Sequence, residues 1–174
     1  MKRSFSTRAL VFAGLLIALE ILLSRFVQIP VPGFAVSKDR ISLGFLPIAL
    51  GGTLYGPFGG GIIAALSDII RAILLPQGGA INPLFTLTAT LRGVLYGMFL
   101  YKGQNPKRII TVSVLIFIFV NLGLNSAFTA YSYGGTFLAR LITKLPAAVS
   151  NLLLQICILI PLLPKLERRL RFHV

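Results

Sequence analysis

Asp68, Arg71 and Arg92 are ionisable residues set inside or beside long apolar runs, within the stretch from Ser67 to Arg92. A lone charge at membrane depth costs about 3 kcal/mol even on the lenient insertion scale, so such groups face a bundle interior, a partner charge or a wet cavity. Their types suit binding: a carboxylate accepts N–H groups, and a guanidinium fork grips a carboxylate through two parallel hydrogen bonds. Asp68 and Arg71 also stand one helical turn apart, where they can neutralise each other as a structural pair. That alternative leaves Arg92 unexplained.

No catalytic constellation accompanies these residues. The one histidine, His173, lies in the C-terminal tail, and no Cys/His or paired-carboxylate set exists. The single Cys157 excludes an intrachain disulfide or a cysteine metal cluster and reads as a small core residue of an apolar run. Gly59-Gly60-Gly61 is not followed by the Lys-Ser/Thr of a phosphate-binding loop, so the chain is not expected to hydrolyse ATP by itself. The reading is a binding protein that is not an enzyme, with no cofactor and no metal.

The elements that hold such residues are set by composition. Of 174 residues 56% are hydrophobic, far too much apolar surface for a soluble domain of this length. Spans of roughly 20 apolar residues account for about six membrane helices, leaving one integral membrane domain over 1–174. The net charge of +13 gathers at segment ends facing one side, which is the positive-inside pattern of a membrane protein and not a nucleic-acid surface. Lys2, Arg3 and Arg8 before an apolar run imitate a signal peptide. The run continues past Glu20 to Leu23 with no small-residue cleavage site, so it reads as a retained first helix.

The six helices are expected at about 7–26, 43–54, 58–74, 84–100, 109–129 and 137–163. The first carries Ala9 and Ala13 four apart, a small-residue surface that lets another helix approach closely. Glu20 falls near the same face, and no role for it follows from the sequence. Prolines and a glycine between Gln28 and Arg40 predict an extended outer loop. The second helix is marginal in length for spanning. Gly52, Gly56 and Gly59 to Gly61, with Gly93 and Gly97, permit very close backbone packing. Thr86, Thr88 and Thr90 are expected to satisfy their hydroxyls on their own helix. Asn121 and Asn125 share a face, Tyr131 to Gly135 form an outer turn, and Arg140, Lys144, Asn151 and Gln155 form one inward stripe. The basic loop from Lys102 to Arg108 and the basic tail face the cytoplasm with both termini, as an even number of spans requires.

This topology sends Arg25, Lys38, Arg40, Asp68, Arg71, Arg92, Arg140 and Lys144 to the outer side, where the positive-inside rule expects few cations. Several cations and one acid in an outward cavity suit an anionic ligand that also donates hydrogen bonds to a carboxylate. Phe34, Phe85, Tyr131 and Tyr133 can stack on a flat ring, and would look the same as membrane-interface anchors.

Three segments carry a resemblance: Ala9-x-x-x-Ala13 with Ser24-Arg25-Phe26, the Ser67-Asp68 pair, and Asn82-Pro83-Leu84-Phe85-Thr86-Leu87-Thr88-Ala89 running into Arg92-Gly93-Val94-Leu95-Tyr96-Gly97. On these the chain resembles the substrate-binding S components of energy-coupling factor (ECF) vitamin transporters, most closely the folate family, over nearly its whole length. Leu84 departs from the Pro-Gly-Phe-Thr form of that family. The resemblance implies an all-α six-helix bundle in the prokaryotic plasma membrane that captures folate or a related vitamin from outside. It further implies partners, a membrane coupling (T) subunit and two cytoplasmic ATPases, docked through Ala9 and Ala13. Arg25, Asp68, Arg92 and Lys144 are the leading ligand residues, with Arg140, Phe34, Lys38, Phe85 and Arg71 behind them. An S component for pantothenate or riboflavin, a membrane-embedded lipid or isoprenoid enzyme, and an anion channel are the alternatives.

Overall fold

The computed structural model describes residues 7–26, 28–30, 40–74 and 83–170. The twenty residues from Thr7 to Phe26, without proline or an interior break, form helix α1, with the bounds the sequence predicts. The chain then enters a short antiparallel ribbon, strand β1 (Gln28–Pro30) against strand β2 (Arg40–Ser42), with Ile29 opposite Ile41. The extended loop expected here is thus held by backbone pairing at its two ends.

Helix α2 (Phe45–Leu74) contains a break at Gly56, whose φ of 76° and ψ of −169° only glycine adopts without strain, followed by Pro57. The chain turns back there. Along a continuous helix Gly52 and Gly60 would stand about 12 Å apart, yet a Cβ on Gly60 would lie 2.7 Å from the Gly52 Cα. The two arms on either side of Gly56 correspond to the expected second and third helices, joined without a loop.

Helix α3 (Pro83–Leu100) packs on α2 more extensively than any other two elements pack. Glycine makes this possible: a Cβ on Gly52 would meet the Gly97 backbone N at 2.7 Å, and one on Gly60 would meet the Gly93 carbonyl at 2.7 Å. Helix α4 (Pro106–Leu115), a π-helical stretch (Ile116–Leu124) and helix α5 (Asn125–Tyr133) follow one another as a continuous rod. The fifth helix is therefore longer than the expected 109–129, and Tyr131 to Tyr133 are its last turn and not an outer loop. Gly134, at φ 73°, breaks it. Helix α6 (Phe137–Leu170) runs past the expected end at 163, through Pro161 and Pro164.

The core gathers Leu16, Ile48, Ile63, Tyr96, Ile109, Ile116, Leu159 and their neighbours from every long helix. Among the described residues, five helical stretches are long and apolar enough to cross a membrane: Thr7–Phe26, Phe45–Leu74 with its turn at Gly56, Pro83–Leu100, Pro106–Ser132 and Phe137–Leu166. Their outward faces are apolar too, with Phe58 86% exposed and Leu10 67% exposed. A helix apolar on all sides needs hydrocarbon around it. Cys157, expected in the core, is on this outward surface; lipid is as apolar as a protein interior, so composition cannot separate the two faces.

Candidate functional site

The ribbon packs on α1 and α6, and polar residues from α1, the end of α2 and α3 gather into one cluster. Asp68, in the last two turns of α2, is 7% exposed. Its Oδ1 accepts from Arg71 Nη2 in an ion pair one turn along the helix. Its Oδ2 accepts the Thr86 hydroxyl of α3 at 2.9 Å. Thr86 therefore departs from the local satisfaction expected of it, whereas Thr88 and Thr90 do bond the carbonyls of Phe85 and Thr86, each at 2.7 Å.

Arg92, further along α3, donates from Nη2 to the Asn121 Oδ1 of the π-helical stretch at 3.1 Å. Glu20 of α1 completes the group. It is 7% exposed, has Ser24 within hydrogen-bonding reach, and feels the charges of Arg71, Asp68 and Arg92. Gly44 backs it closely: a Cβ there would meet Glu20 Oε1 at 3.0 Å. Two carboxylates and two guanidiniums from three helices thus balance in charge. Sequence reasoning left Glu20 out, although an acid inside an apolar run is as costly as Asp68 and carried the same signal.

The cluster is not fully satisfied. Glu20 Oε2, Arg71 Nε and Arg92 Nε are buried and have no hydrogen-bond partner among the described residues. Each such vacancy costs about 1–3 kcal/mol. The cluster thus holds unmet donors and an unmet acceptor that further hydrogen bonds would satisfy.

The remaining expected residues scatter. Lys144 of α6 reaches across to α5, donating to the Asn125 carbonyl at 3.2 Å and to the Thr129 hydroxyl at 2.5 Å. Arg140 holds the Gly134 carbonyl at 3.0 and 3.2 Å, closing the α5–α6 turn. Asn151 bonds its own helix at Ala147, and Gln155 donates to the buried Tyr96 hydroxyl of α3. The expected stripe on α6 is therefore divided among separate tasks. Arg25 is exposed in the last turn of α1, and Phe85 is half-buried in the first turn of α3. Tyr131 is exposed. Phe34 and Lys38 lie outside the described residues.

At the opposite end, Ala9 is 7% exposed, and its carbonyl accepts the Tyr55 hydroxyl at 2.8 Å. Ala13 packs half-buried against the core. A concavity at that end, of about 380 Å³, is lined by Met98, Phe99, Lys102, Lys107, Arg108 and Thr111. Its cations belong to the basic loop from Lys102 to Arg108. Among the described residues, no three His, Cys, Asp or Glu side chains gather as a metal site.

An all-helical fold with lipid-compatible outer faces and a buried polar cluster at one end defines a membrane-embedded binding protein. The profile for "ECF-type riboflavin transporter, S component" matches residues 4–168, and the chain belongs to this family of ECF-type S components. It is accordingly a multi-pass membrane transport component and not an enzyme. Among its relatives is the folate transporter FolT of Clostridium novyi, 34% identical over 137 residues, covering 78% of this chain and 76% of that protein. FolT of Leuconostoc mesenteroides is 29% identical over 129 residues, covering 73% and 66%. A crystal structure of FolT bound with folic acid superposes with a TM-score of 0.76 at 30% identity, over 88% of this chain and 90% of that one.

Proposed function

We propose that this protein is the folate-capturing S component of an ECF-type importer, one membrane domain over 1–174 in the plasma membrane. The observation that carries the reading is the buried Asp68 carboxylate, held by Arg71 and by the Thr86 hydroxyl, with Arg92 further along α3. Folate presents an amino group and a ring N–H along its pterin edge, which a carboxylate accepts. It also ends in a glutamate whose two carboxylates suit Arg or Lys. Asp68 takes the heterocycle, Arg92, Lys144 and Arg25 supply the leading cations, and Phe85 offers a ring for stacking. Arg71, Arg140, Phe34 and Lys38 are secondary candidates; Arg140 has the weakest support, since it is committed to the Gly134 carbonyl.

The family profile is named for riboflavin, whereas the relatives and the superposed structure are named for folate. Riboflavin is uncharged and gives the cations nothing to pair with, so folate is the better match to this cluster. The reversal at Gly56 supports six helical segments, hence an even number of passes and both termini on the cytoplasmic side, as the basic loop also requires. Delivery runs through a complex with a T subunit and two ATPases. Docking through Ala9 and Ala13 requires that face to give up part of its present packing under Tyr55. Binding of labelled folic acid by the purified protein, with riboflavin and pantothenate in parallel, tests the assignment: saturable binding of folic acid alone is expected, and selective binding of riboflavin sinks it.

A further inference from the structure

Both oxygens of Asp68 are engaged, one by Arg71 and one by Thr86. A ligand that presents N–H groups to this carboxylate competes with Arg71 for Oδ1. A guanidinium displaced inside a helix bundle needs another anion, because an unpaired charge there is costly. Among residues with described side chains, Glu20 is the other carboxylate of the chain. Its Oε2 and the Arg71 Nε are both buried, and both lack a partner among the described residues. Arg71 is among the charged groups within electrostatic reach of Glu20. A buried acceptor and a buried donor of opposite charge, facing the same cluster from adjacent helices, are two halves of one charge-assisted hydrogen bond.

We propose that Glu20 is a positioning residue that receives Arg71 when the N–H groups of a ligand take over Asp68, so that the ion pair changes partner and is not broken. The inference rests on the assignment of Asp68 as the ligand's acceptor. Glu20 serves this role from behind the site: it is enclosed by Ser24 and Gly44, so it meets the guanidinium and not the ligand. The exchange keeps two negative and two positive charges balanced throughout. It also gives α1 a share in ligand binding through a residue that does not touch the ligand.

A double-mutant cycle on the full chain in detergent tests this, read as dissociation constants for folic acid with riboflavin run in parallel. Glu20→Gln keeps the size and removes the charge, and is expected to weaken binding about tenfold. Arg71→Met removes the guanidinium that changes partner and supplies the second background of the cycle, whatever its own effect on affinity. Adding Glu20→Gln to Arg71→Met is then expected to change affinity by less than about twofold. A residue that only supports the fold lowers affinity by the same factor in both backgrounds, and that additivity overturns the exchange. Glu20→Gln binding like the parent overturns it as well. Where the Gln variant does not fold, Glu20→Asp, which keeps the charge one methylene short, is carried through the same cycle under the same criterion. A parent that binds riboflavin in place of folic acid overturns the folate assignment alone, and the cycle measured with riboflavin still decides the exchange.

Discussion

The two ends of the α2–α3 pair are built on opposite principles. Near the Gly56 turn, backbone meets backbone: Gly52, Gly60, Gly93 and Gly97 bring the helices together with no side chain between them. At the other end, Asp68, Arg71, Thr86 and Arg92 fill the same interface with charge and hydrogen bonds, several of them unmet. In hydrocarbon, where no hydrophobic force drives helices together, close glycine contact supplies the dispersion that fixes geometry. The glycine end thus holds the frame, and the polar end is left free to be incomplete.

The largest effect is expected from breaking the frame. Gly60→Val places side-chain atoms against the Gly52 backbone and the Gly93 carbonyl, where neither helix can yield. Overpacking costs about 1–3 kcal/mol even where side chains can move aside, so thermal unfolding in detergent should show loss of more than that, with folic acid binding lost alongside. A variant that melts like the parent would mean that the glycine contact does not set the frame.

At the polar end the expectation is the reverse, binding lost with the fold retained. Asp68→Asn keeps the size but exchanges an acceptor pair for a mixed donor and acceptor. It should cost at least about 2 kcal/mol of folic acid affinity by calorimetry, because ligand donors are left unmatched. Unchanged affinity would make Asp68 and Arg71 a structural pair only. Arg92→Lys keeps the charge and loses the planar fork together with the reach to Asn121, for which about 1–2 kcal/mol of affinity is expected.

Two further variants sharpen the contrast. Ala9→Trp with Ala13→Trp should leave folic acid binding by the isolated subunit intact while abolishing assembly with the coupling subunit and uptake. Loss of binding with assembly retained would place that face inside the bundle, where the Tyr55 contact already holds Ala9. The smallest effect is expected from Arg140→Ala, whose bonds are to an exposed turn: less than about 1 kcal/mol in stability, and folic acid affinity close to that of the parent.

Much of the frame was legible in the sequence, because hydrocarbon demands long apolar runs and close packing demands glycine. The bounds of α1, the reversal near Gly56 and the close approach of α2 at Gly93 and Gly97 all follow from such local rules. The site was legible only in its types. That Asp68 and Arg92 needed partners followed from the cost of buried charge; that the partners are Thr86 and Asn121 did not, because they come from other helices. Glu20 was visible as an anomaly and gained a meaning only when Arg71 was found within its electrostatic reach. Cys157 was misplaced because an apolar run does not say which of its faces meets lipid.

The π-helical stretch changes what a helical wheel means for this chain. A wheel drawn at about 100° per residue puts Asn121 and Asn125 on one line. Between Ile116 and Leu124 the backbone bonds skip one residue further, and the Asn125 N–H donates to the Val120 carbonyl. Each such step lags the ordinary rotation, so angular phase drifts along the rod. Asn121, inside that stretch, turns its side-chain amide toward Arg92 on α3, while beyond it the backbone carbonyl of Asn125 and the Thr129 hydroxyl accept Lys144 from α6. Ordinary pitch over the same stretch, Ile116–Leu124, would advance the phase of α5 and swing Thr129 away from Lys144.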